Sequence, residues 1–251
     1  MLSIERQGTD EDLSNERARV DRSLSTRDEF LGIVSHDLRD MLSGMISFAE
    51  LIAAVVVREN HVDQVLAHAR RIQRSGAHMN RLIGDLLDVA SIQAGVLAVT
   101  VEMCDPVDIA DEAVDSFQAQ AAMRQISLAS EAASSRVAIG FDPARILQVL
   151  SNLLSNAIKF TPAGGAVSVR VEHIGENVQF SVTDSGPGIP AHMLETIFDR
   201  FLQVARNDRR GLGLGLYISR CIVEGHGGNI WAKSHEGSGS TFGFTLPVNV
   251  S

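Results

Sequence analysis

The stretch that decides the fold is "DPARILQVLSNLLSNAIKF", Asp142–Phe160. Its Asp-Pro opening is typical of a helix start, with the aspartate as cap and the proline in the first turn. Asn152, Asn156 and Lys159 follow at spacings of four and three, so they share one helix face. The apolar residues occupy other parts of the helix: Leu150, Leu153, Leu154 and Ile158. Two amides and a lysine in one row could bind a metal ion and phosphate oxygens, although a solvated helix face would have the same pattern.

Strand and helix patterns surround this helix. Alternating apolar residues predict strands in five places: Val96–Glu102, Ser135–Asp142, the hairpin Ala166–Asp184, Asn229–Ser234 and Ser240–Val248. Two more helices are predicted, over Asp105–Gln125 and Leu214–Gly227. A mixed sheet covered by helices, which is an α+β sandwich, is the fold class that this order favours.

The N-terminal part has a different, heptad-like pattern. Apolar residues recur in steps of four and three from Val20 to Val55, with Arg27 as the only polar member of the series. The pattern resumes at Val65, Ala69, Ile72, Gly76, Met79, Ile83, Leu86 and Ala90. The polar segment "RENH", Arg58–His61, separates the two series, so we expect a helical hairpin. A single hairpin cannot enclose a core, but two copies can do so as a dimeric four-helix bundle. We therefore expect a polar tail over residues 1–14, the hairpin over 15–97 and the sandwich domain over 98–251.

The stretch "IVSHDLRDMLSGM" in the first of these helices contains a histidine followed by an aspartate. If Val34 and Leu38 occupy d and a positions, His36 is at f and Asp37 at g. The heptad therefore presents His36 outward. An inert surface histidine is the alternative to a reactive one.

Three glycine motifs lie in the C-terminal half. "DSGPGIP", Asp184–Pro190, combines a carboxylate at a strand end with backbone that can approach a flat ligand, although a plain turn has similar glycines. "GLGLGL", Gly211–Leu216, opens a helix whose N-terminus favours an anion. It is not a GxGxxG motif after a strand, and no GxxxxGK is present, which excludes a P-loop. "GSGSTF", Gly237–Phe242, is a third glycine turn.

Basic residues lie between the first two glycine motifs. They follow or belong to "IFDRFLQ": Arg200, Arg206, Arg209 and Arg210. Such a segment could close over phosphates as a lid, or it could be a solvated loop.

The composition excludes some classes of function. The net charge of −9 over 251 residues argues against broad nucleic-acid binding and against anionic membranes. No apolar run is long enough to span a bilayer, and no signal peptide is recognisable. Cys104 and Cys221 are far apart, as expected for free thiols in a reducing compartment. We therefore expect a cytoplasmic protein, or the cytosolic part of a longer sensor.

Together, in this order, the motifs resemble the catalytic core of sensor histidine kinases of two-component systems, over about residues 15 to 248. "SHDLRDML" is similar to the H box of that family, "NLLSNAIKF" to its N box and "DSGPGIP" to its first G box. "IFDRF" resembles the F box, "GLGLGL" the second G box and "GSGSTF" the final glycine turn. The resemblance implies a dimeric phosphoacceptor hairpin followed by an ATP-binding domain of the Bergerat (GHKL) type.

The resemblance also implies roles for single residues. His36 would attack the γ-phosphate of ATP, and Asp37 would orient its imidazole ring. Asn156 would hold Mg²⁺ with Asn152 nearby, and Lys159 and Arg200 would reach phosphates. The remaining cofactor-binding residues would receive the adenine or shape the pocket and lid: Phe160, Asp184, Gly186, Gly188, Gly211, Gly213, Gly215 and Thr241. The phosphoryl group would pass to an aspartate in the receiver domain of a response regulator.

Three positions separate activities within this group of families. Related ATPases have a water-activating glutamate where this chain has Asn152, so phosphotransfer is favoured over hydrolysis. Histidine kinases usually have threonine or asparagine where this chain has Asp40, and proline where it has Met41. Asp40 adds negative charge beside phosphoryl groups, so we expect weak phosphatase activity. Leu212, where threonine is frequent, is a milder departure.

Two other functions compete with the kinase. A degenerate homologue that binds ATP or only dimerises, and so regulates another kinase, is suggested by Asp40 and Met41. A hydrolytic ATPase is disfavoured by Asn152.

Overall fold

The computed structural model describes residues 38–52, 62–131, 136–201 and 213–248. These residues belong to two compact units, the first ending at Ile83 and the second starting at Gly84. The division falls within one continuous helix, and the predicted domain limits of 15–97 and 98–251 stay predictions. The polar tail, His36, Asp37 and the "RENH" break lie outside the described residues.

The first unit contains two helices, α1 over residues 38–52 and most of α2, Val62–Gln93. The residues of α1 on the predicted seam are half-buried: Leu38, Met41, Met45, Phe48 and Ile52. The rings of Phe48 and His68 stack with centroids 5.8 Å apart, and they join α1 to α2. The large apolar residues beside the seam stay about half exposed: Leu42 at 52%, Ile46 at 51% and Leu66 at 47%. The hairpin alone therefore leaves much of its apolar surface uncovered.

The seam of α2 differs from the prediction in its last turns. Ile83 and Ala90 were expected on the seam, but Ile83 is 42% exposed and Ala90 is exposed too. Leu82 and Val89 are buried in their place. The apolar stripe of a helix is wide enough to include both the i+3 and the i+4 neighbours of a seam residue. The prediction followed the i+4 neighbours, whereas packing selects the i+3 neighbours here.

The second unit is built around a five-stranded sheet. Its strands are β2 (Ser127–Glu131), β4 (Ala166–Ile174), β5 (Asn177–Asp184), β6 (Asn229–Ser234) and β7 (Ser240–Pro247). They lie in the order β2-β4-β5-β7-β6. Strands β1 (Glu102–Cys104) and β3 (Ile139–Phe141) form a separate antiparallel pair. The helices of the unit are α3 (Pro106–Met123), α4 (Pro143–Phe160), α5 (Ala191–Leu194) and α6 (Gly215–Gly225). Strand β2 is parallel to β4 and the other pairs are antiparallel, which confirms the predicted mixed sheet and α+β class.

The core of this unit lies between one face of the sheet and α3, α4 and α6. The alternating residues of the β4–β5 hairpin are buried as predicted: Val167, Val169, Val171, Val178, Phe180 and Val182. Phe180 stacks on Phe244 of β7 with ring centroids 4.7 Å apart. Leu150, Leu153, Leu154 and Ile158 of α4 are at most 1% exposed and complete this core.

Asp142 holds together several ends of secondary structure. Its carboxylate accepts hydrogen bonds from the backbone N–H groups of Arg145 and Thr100, at 3.0 and 2.8 Å, so it caps α4 as predicted. Its own N–H donates to His226 Nε2 at 3.0 Å, while His226 Nδ1 lies 2.7 Å from the carbonyl oxygen of Ile222. The start of α4 and the end of α6 are therefore fixed to each other.

One strand prediction needs correction, and one strand was not predicted. Residues 96–101 are irregular, and strand β1 begins only at Glu102. The alternation there has another cause, because Leu97 and Val99 are half-buried and lie beside Gly225 at the end of α6. Strand β2 was not predicted, since "SLASE" has only one large apolar residue.

None of the helices in the described ranges has both the length and the apolar character that a membrane span requires.

Candidate functional site

Helix α4 presents its polar face as the sequence predicts. Asn152, Asn156 and Lys159 are all half-buried, while the opposite face of the helix is fully buried. The Asn152 side-chain nitrogen donates to the carbonyl oxygen of Gly215 at 3.2 Å and to Ser219 Oγ at 3.3 Å. A Cβ on Gly215 would lie 3.4 Å from Asn152 Cγ, which is van der Waals contact, so the two helices are closely packed at this point. Asn152 therefore joins α4 to α6, and Asn156 lies one turn further along the same face.

Asp184 ends strand β5 and is only 8% exposed. Its Oδ1 accepts a hydrogen bond of 2.8 Å from the backbone N–H of Gly186. Burial raises the pKa of Asp184, and the N–H groups of Gly186 and Ser240 counteract that rise in part. The site thus has a buried carboxylate that can accept a hydrogen bond from a ligand when it is ionised.

The turn after Asp184 packs against the end of α4. A Cβ on Gly186 would lie 2.7 Å from Asp184 Oδ1 and 3.3 Å from the carbonyl oxygen of Phe160, so only glycine fits without a shift. The Phe160 ring is 45% exposed, and Lys159 Nζ lies 5.0 Å from its centroid. The structure therefore gathers Phe160, Asp184 and Gly186, with Lys159 beside them.

Two further glycines bring the loops of the site together. Gly188 has a φ of +75°, and a Cβ there would overlap the carbonyl oxygen of His235. Gly239 has a φ of +88°, and a Cβ there would overlap the carbonyl oxygen of Asp184. The first and third glycine motifs are thus in direct backbone contact.

The register of β7 separates Thr241 from the other candidates. Ser240 pairs with Asp184, whereas Thr241 pairs with Thr183, and their hydroxyl oxygens are 3.0 Å apart. Because side chains alternate along a strand, Thr241 points to the sheet face opposite Asp184. Ser240, which is 7% exposed, is the residue beside the carboxylate that sequence reasoning missed. Counting back by two from the buried Phe244 and Phe242 would have identified it.

The residues that flank the predicted lid are close to each other. Phe201 N donates to the carbonyl oxygen of Gly213 at 3.1 Å, and Gly213 has a φ of +68°. The Arg200 guanidinium carbon lies 4.5 Å from the ring centroid of Tyr217 at the start of α6. Gly211, Leu212 and the lid arginines Arg206, Arg209 and Arg210 lie outside the described residues.

Metal binding here would depend on amide oxygens. The described ranges contain no cluster of three or more histidine, cysteine, aspartate or glutamate side chains suited to a metal. Asn152 donates through its nitrogen, which leaves its oxygen as an acceptor on the same helix face as Asn156. Mg²⁺ prefers oxygen ligands, and nucleotide phosphates and water commonly supply most of them. The donor set fits Mg²⁺ carried by a nucleotide, not a cage of protein ligands.

Family models match both parts of the chain. Residues 26–95 match the His Kinase A (phospho-acceptor) domain. Residues 141–250 match the family described as histidine kinase-, DNA gyrase B-, and HSP90-like ATPase.

Comparison with individual proteins also identifies histidine kinases as similar to this chain. The adaptive-response sensory kinase SasA of Synechococcus sp. (strain JA-3-3Ab) is 33% identical over 243 residues, which cover 94% of this chain and 63% of that protein. This chain therefore spans less than two thirds of the length of that relative. The solved catalytic domain of histidine kinase ThkA is 33% identical with a TM-score of 0.53, and the match covers 61% of this chain and 97% of that one.

A third match includes both parts of the chain. The structure of histidine kinase ThkA in complex with the response regulator protein TrrA is 26% identical with a TM-score of 0.64, covering 95% of this chain and 66% of that one. The predicted order of a phosphoacceptor region before an ATPase region thus agrees with the family models and with solved kinases. The chain belongs to the sensor histidine kinase family, of which it carries the catalytic core.

Proposed function

We propose that this chain is an ATP-dependent protein-histidine kinase that phosphorylates His36 and passes the phosphoryl group to an aspartate of a response regulator. The observation that carries this proposal is the buried Asp184 at the end of β5, held by Gly186 and next to the end of α4. A carboxylate in this position can accept a hydrogen bond from the amino group of adenine. The polar face of α4 ends at the same place and supplies the amides and the lysine for the phosphates.

The proposed reaction is a transfer from oxygen to nitrogen. A neutral ring nitrogen of His36 forms a bond to the γ-phosphorus while the bond from that phosphorus to the β,γ-bridging oxygen breaks, so ADP leaves. Asp37 accepts a hydrogen bond from the other ring nitrogen and orients the imidazole. Asn156 would hold Mg²⁺, which neutralises phosphate charge, and Lys159 and Arg200 would contact phosphate oxygens.

Asn152 supports transfer over hydrolysis. Activation of water requires a base, but the Asn152 amide has no basic group, and its nitrogen is already hydrogen-bonded to Gly215 and Ser219. Slow turnover of ATP without a phosphoacceptor is therefore part of the proposal.

Two partners follow from the same reasoning. Leu42, Ile46 and Leu66 are about half exposed on the hairpin, and a second copy of the chain would cover them in a four-helix bundle. A receiver domain is the natural acceptor, since a related kinase was solved in complex with a response regulator. Because ATP is the donor, we place the reaction in the cytoplasm.

The test is incubation of the full chain with γ-labelled ATP and Mg²⁺. We expect acid-labile label on the wild type, no label on His36→Ala, and loss of both nucleotide binding and label in Asp184→Ala. His192→Ala, in the short helix α5, is the matched control and should keep the label. Nucleotide binding without any label on the wild type would favour the degenerate regulator.

Asp40 motivates a second experiment. This residue is exposed on α1, and it comes four residues after His36 in the sequence. Its negative charge would repel the phosphoryl group of a phosphorylated regulator, so we expect the wild type to be a poor phosphatase. Asp40→Thr should accelerate dephosphorylation of the partner. Brisk dephosphorylation by the wild type, unchanged in Asp40→Thr, would contradict this expectation.

A further inference from the structure

Ser234, the last residue of β6, is hydrogen-bonded to both glycine turns that adjoin Asp184. Its Oγ lies 2.8 Å from the backbone nitrogen of Ile189, 2.8 Å from the carbonyl oxygen of Gly239 and 3.0 Å from Ser240 Oγ. Ile189 belongs to the turn after Asp184, and Gly239 and Ser240 belong to the turn before β7. One hydroxyl therefore joins β6 to both glycine turns of the site.

The directions of these bonds follow from counting protons. A serine hydroxyl has one proton to donate and two lone pairs that accept. The carbonyl oxygen of Gly239 can only accept, so it takes the Ser234 proton. The N–H of Ile189 can only donate, so it occupies one lone pair of the Ser234 oxygen. The remaining bond must then run from the Ser240 hydroxyl to the second lone pair of Ser234.

The consequence is that Ser240 has no proton left for a ligand. Its oxygen can only accept, and the neighbouring carboxylate of Asp184 also only accepts when it is ionised. A base at this place must offer hydrogen-bond donors. A purine with a 6-amino group offers such donors. A purine with a 6-oxo group would instead place an acceptor oxygen next to the Ser240 oxygen and the Asp184 carboxylate, which are acceptors too.

We propose that Ser234 is a positioning residue that sets the base specificity of the nucleotide site, by holding the two glycine turns together and by keeping the Ser240 proton away from the ligand. This inference rests on the proposed function, because it takes Asp184 to be the site of the base. Ser234 itself need not touch the nucleotide.

The test compares Ser234→Ala with Ser238→Ala in the full chain. Ser238 lies in the same turn with an exposed side chain, which makes it the matched control. Labelling of His36 is measured against the concentration of ATP and of inosine triphosphate. In Ser234→Ala, we expect the half-saturating ATP concentration to rise about 3- to 10-fold, as for loss of one or two hydrogen bonds, with the maximal rate unchanged. The preference for ATP over inosine triphosphate should narrow by about the same factor, because the freed Ser240 proton can reach a 6-oxo group.

A double-mutant cycle tests whether Ser234 acts through Ser240. In a Ser240→Ala background, Ser234→Ala should not change the nucleotide preference any further. A purely structural role would lower the maximal rate and the melting temperature but leave the half-saturating concentration and the preference as they are. That pattern would overturn the inference.

Three other outcomes would overturn this inference, and one of them would also overturn the proposed function. If Ser234→Ala is unfolded at the assay temperature, Ser240→Ala alone is measured, and unchanged ATP affinity there would overturn the inference. A wild type that binds neither nucleotide would overturn the proposed function and this inference with it. A wild type that binds ATP and loses it in Asp184→Ala, while Ser234→Ala behaves like Ser238→Ala, would overturn this inference alone.

Discussion

The two units of this chain bury their apolar residues to very different extents. In the second unit, Leu154, Phe180 and Phe244 are fully buried, and the sheet and three helices complete the core within one chain. In the hairpin, Leu42 and Ile46 remain about half exposed, although they are just as apolar. A sheet covered by helices can be self-sufficient, whereas a pair of helices needs another surface. We therefore expect the stability of the second unit to be independent of protein concentration and that of the hairpin to depend on it.

The largest effect is expected from the core of the second unit. Leu154→Ala removes a side chain that is fully buried in α4, and such changes cost about 2–5 kcal/mol. Denaturant unfolding should show this loss at every protein concentration. Leu66→Ala, at a residue that is 47% exposed, is the matched control and should leave the unfolding of the second unit unchanged. An equal loss of unfolding free energy of the second unit in both variants would contradict the difference between the two units.

Asp88 tests where the second unit begins. This residue of α2 is 8% exposed and accepts hydrogen bonds from Arg145 Nη1 at 2.7 Å and from Gln148 Nε2 at 2.6 Å. Asp88→Ala should destabilise the second unit by about 2–3 kcal/mol, because it leaves a part-buried guanidinium without a carboxylate to balance its charge. Gln73→Ala, exposed on the same helix, is the control. Hydrogen exchange should also show residues 86–93 opening together with α4, and opening with the hairpin instead would contradict a boundary at Gly84.

The hairpin should respond through self-association. Ile46→Glu places a charge in the exposed apolar surface, so the dissociation constant of the dimer should rise about tenfold or more. Sedimentation equilibrium measures it, with Ser47→Glu on the neighbouring exposed position as control. Unfolding of the second unit should be the same in both variants. A monomeric wild type would show that the hairpin is covered by something other than a second copy.

The smallest effect is a pH dependence confined to the second unit. Burial raises the pKa of Asp184, so the folded chain binds a proton more readily there than the unfolded chain does. As the pH falls through that raised pKa, the carboxylate becomes protonated and ATP affinity should weaken. The contribution of Asp184 to stability should change in the opposite direction and rise on acidification. Fluorescence titration with ATP at a series of pH values measures the change in affinity. In Asp184→Asn, the affinity should no longer depend on pH in this way.

In the second unit, the features that depend on local sequence were predicted correctly. The features that depend on contacts between distant segments were not. The Asp-Pro caps, the amphipathic α4 and the alternation of β4 and β5 act within a few residues, so the sequence indicates them directly. Residues 96–101 alternate because they pack on α6 without a strand partner, which no local pattern reveals. Strand β2 forms because β4 offers an edge, since its own sequence has little strand character.

In the candidate site, too, residues in local motifs were predicted and residues placed by strand register or distant contacts were not. Asp184, Gly186 and Phe160 were predicted, and the structure brings them together. Thr241 was predicted where the register places Ser240, because a difference of one residue reverses the face of a strand. Asp88 bonds to Arg145 and Gln148, which lie far along the chain, so its own segment did not single it out. Ser234 bonds to Ile189 of a distant turn as well as to Gly239 and Ser240 of the turn that follows it, and no local motif indicates this combination. The roles of His36 and Asp37 stay predictions.

The environment of His226 has a consequence for which histidines can accept a phosphoryl group. The chain contains eight histidines, and each neutral ring has one nitrogen with a lone pair that could attack phosphorus. In His226, which is 6% exposed, that lone pair receives the N–H of Asp142, and the other nitrogen is bonded to the carbonyl oxygen of Ile222. Attack by this ring would require the start of α4 to come apart first. The fold thus withholds His226 as a nucleophile, whereas His192 and His235 of the same unit keep exposed side chains.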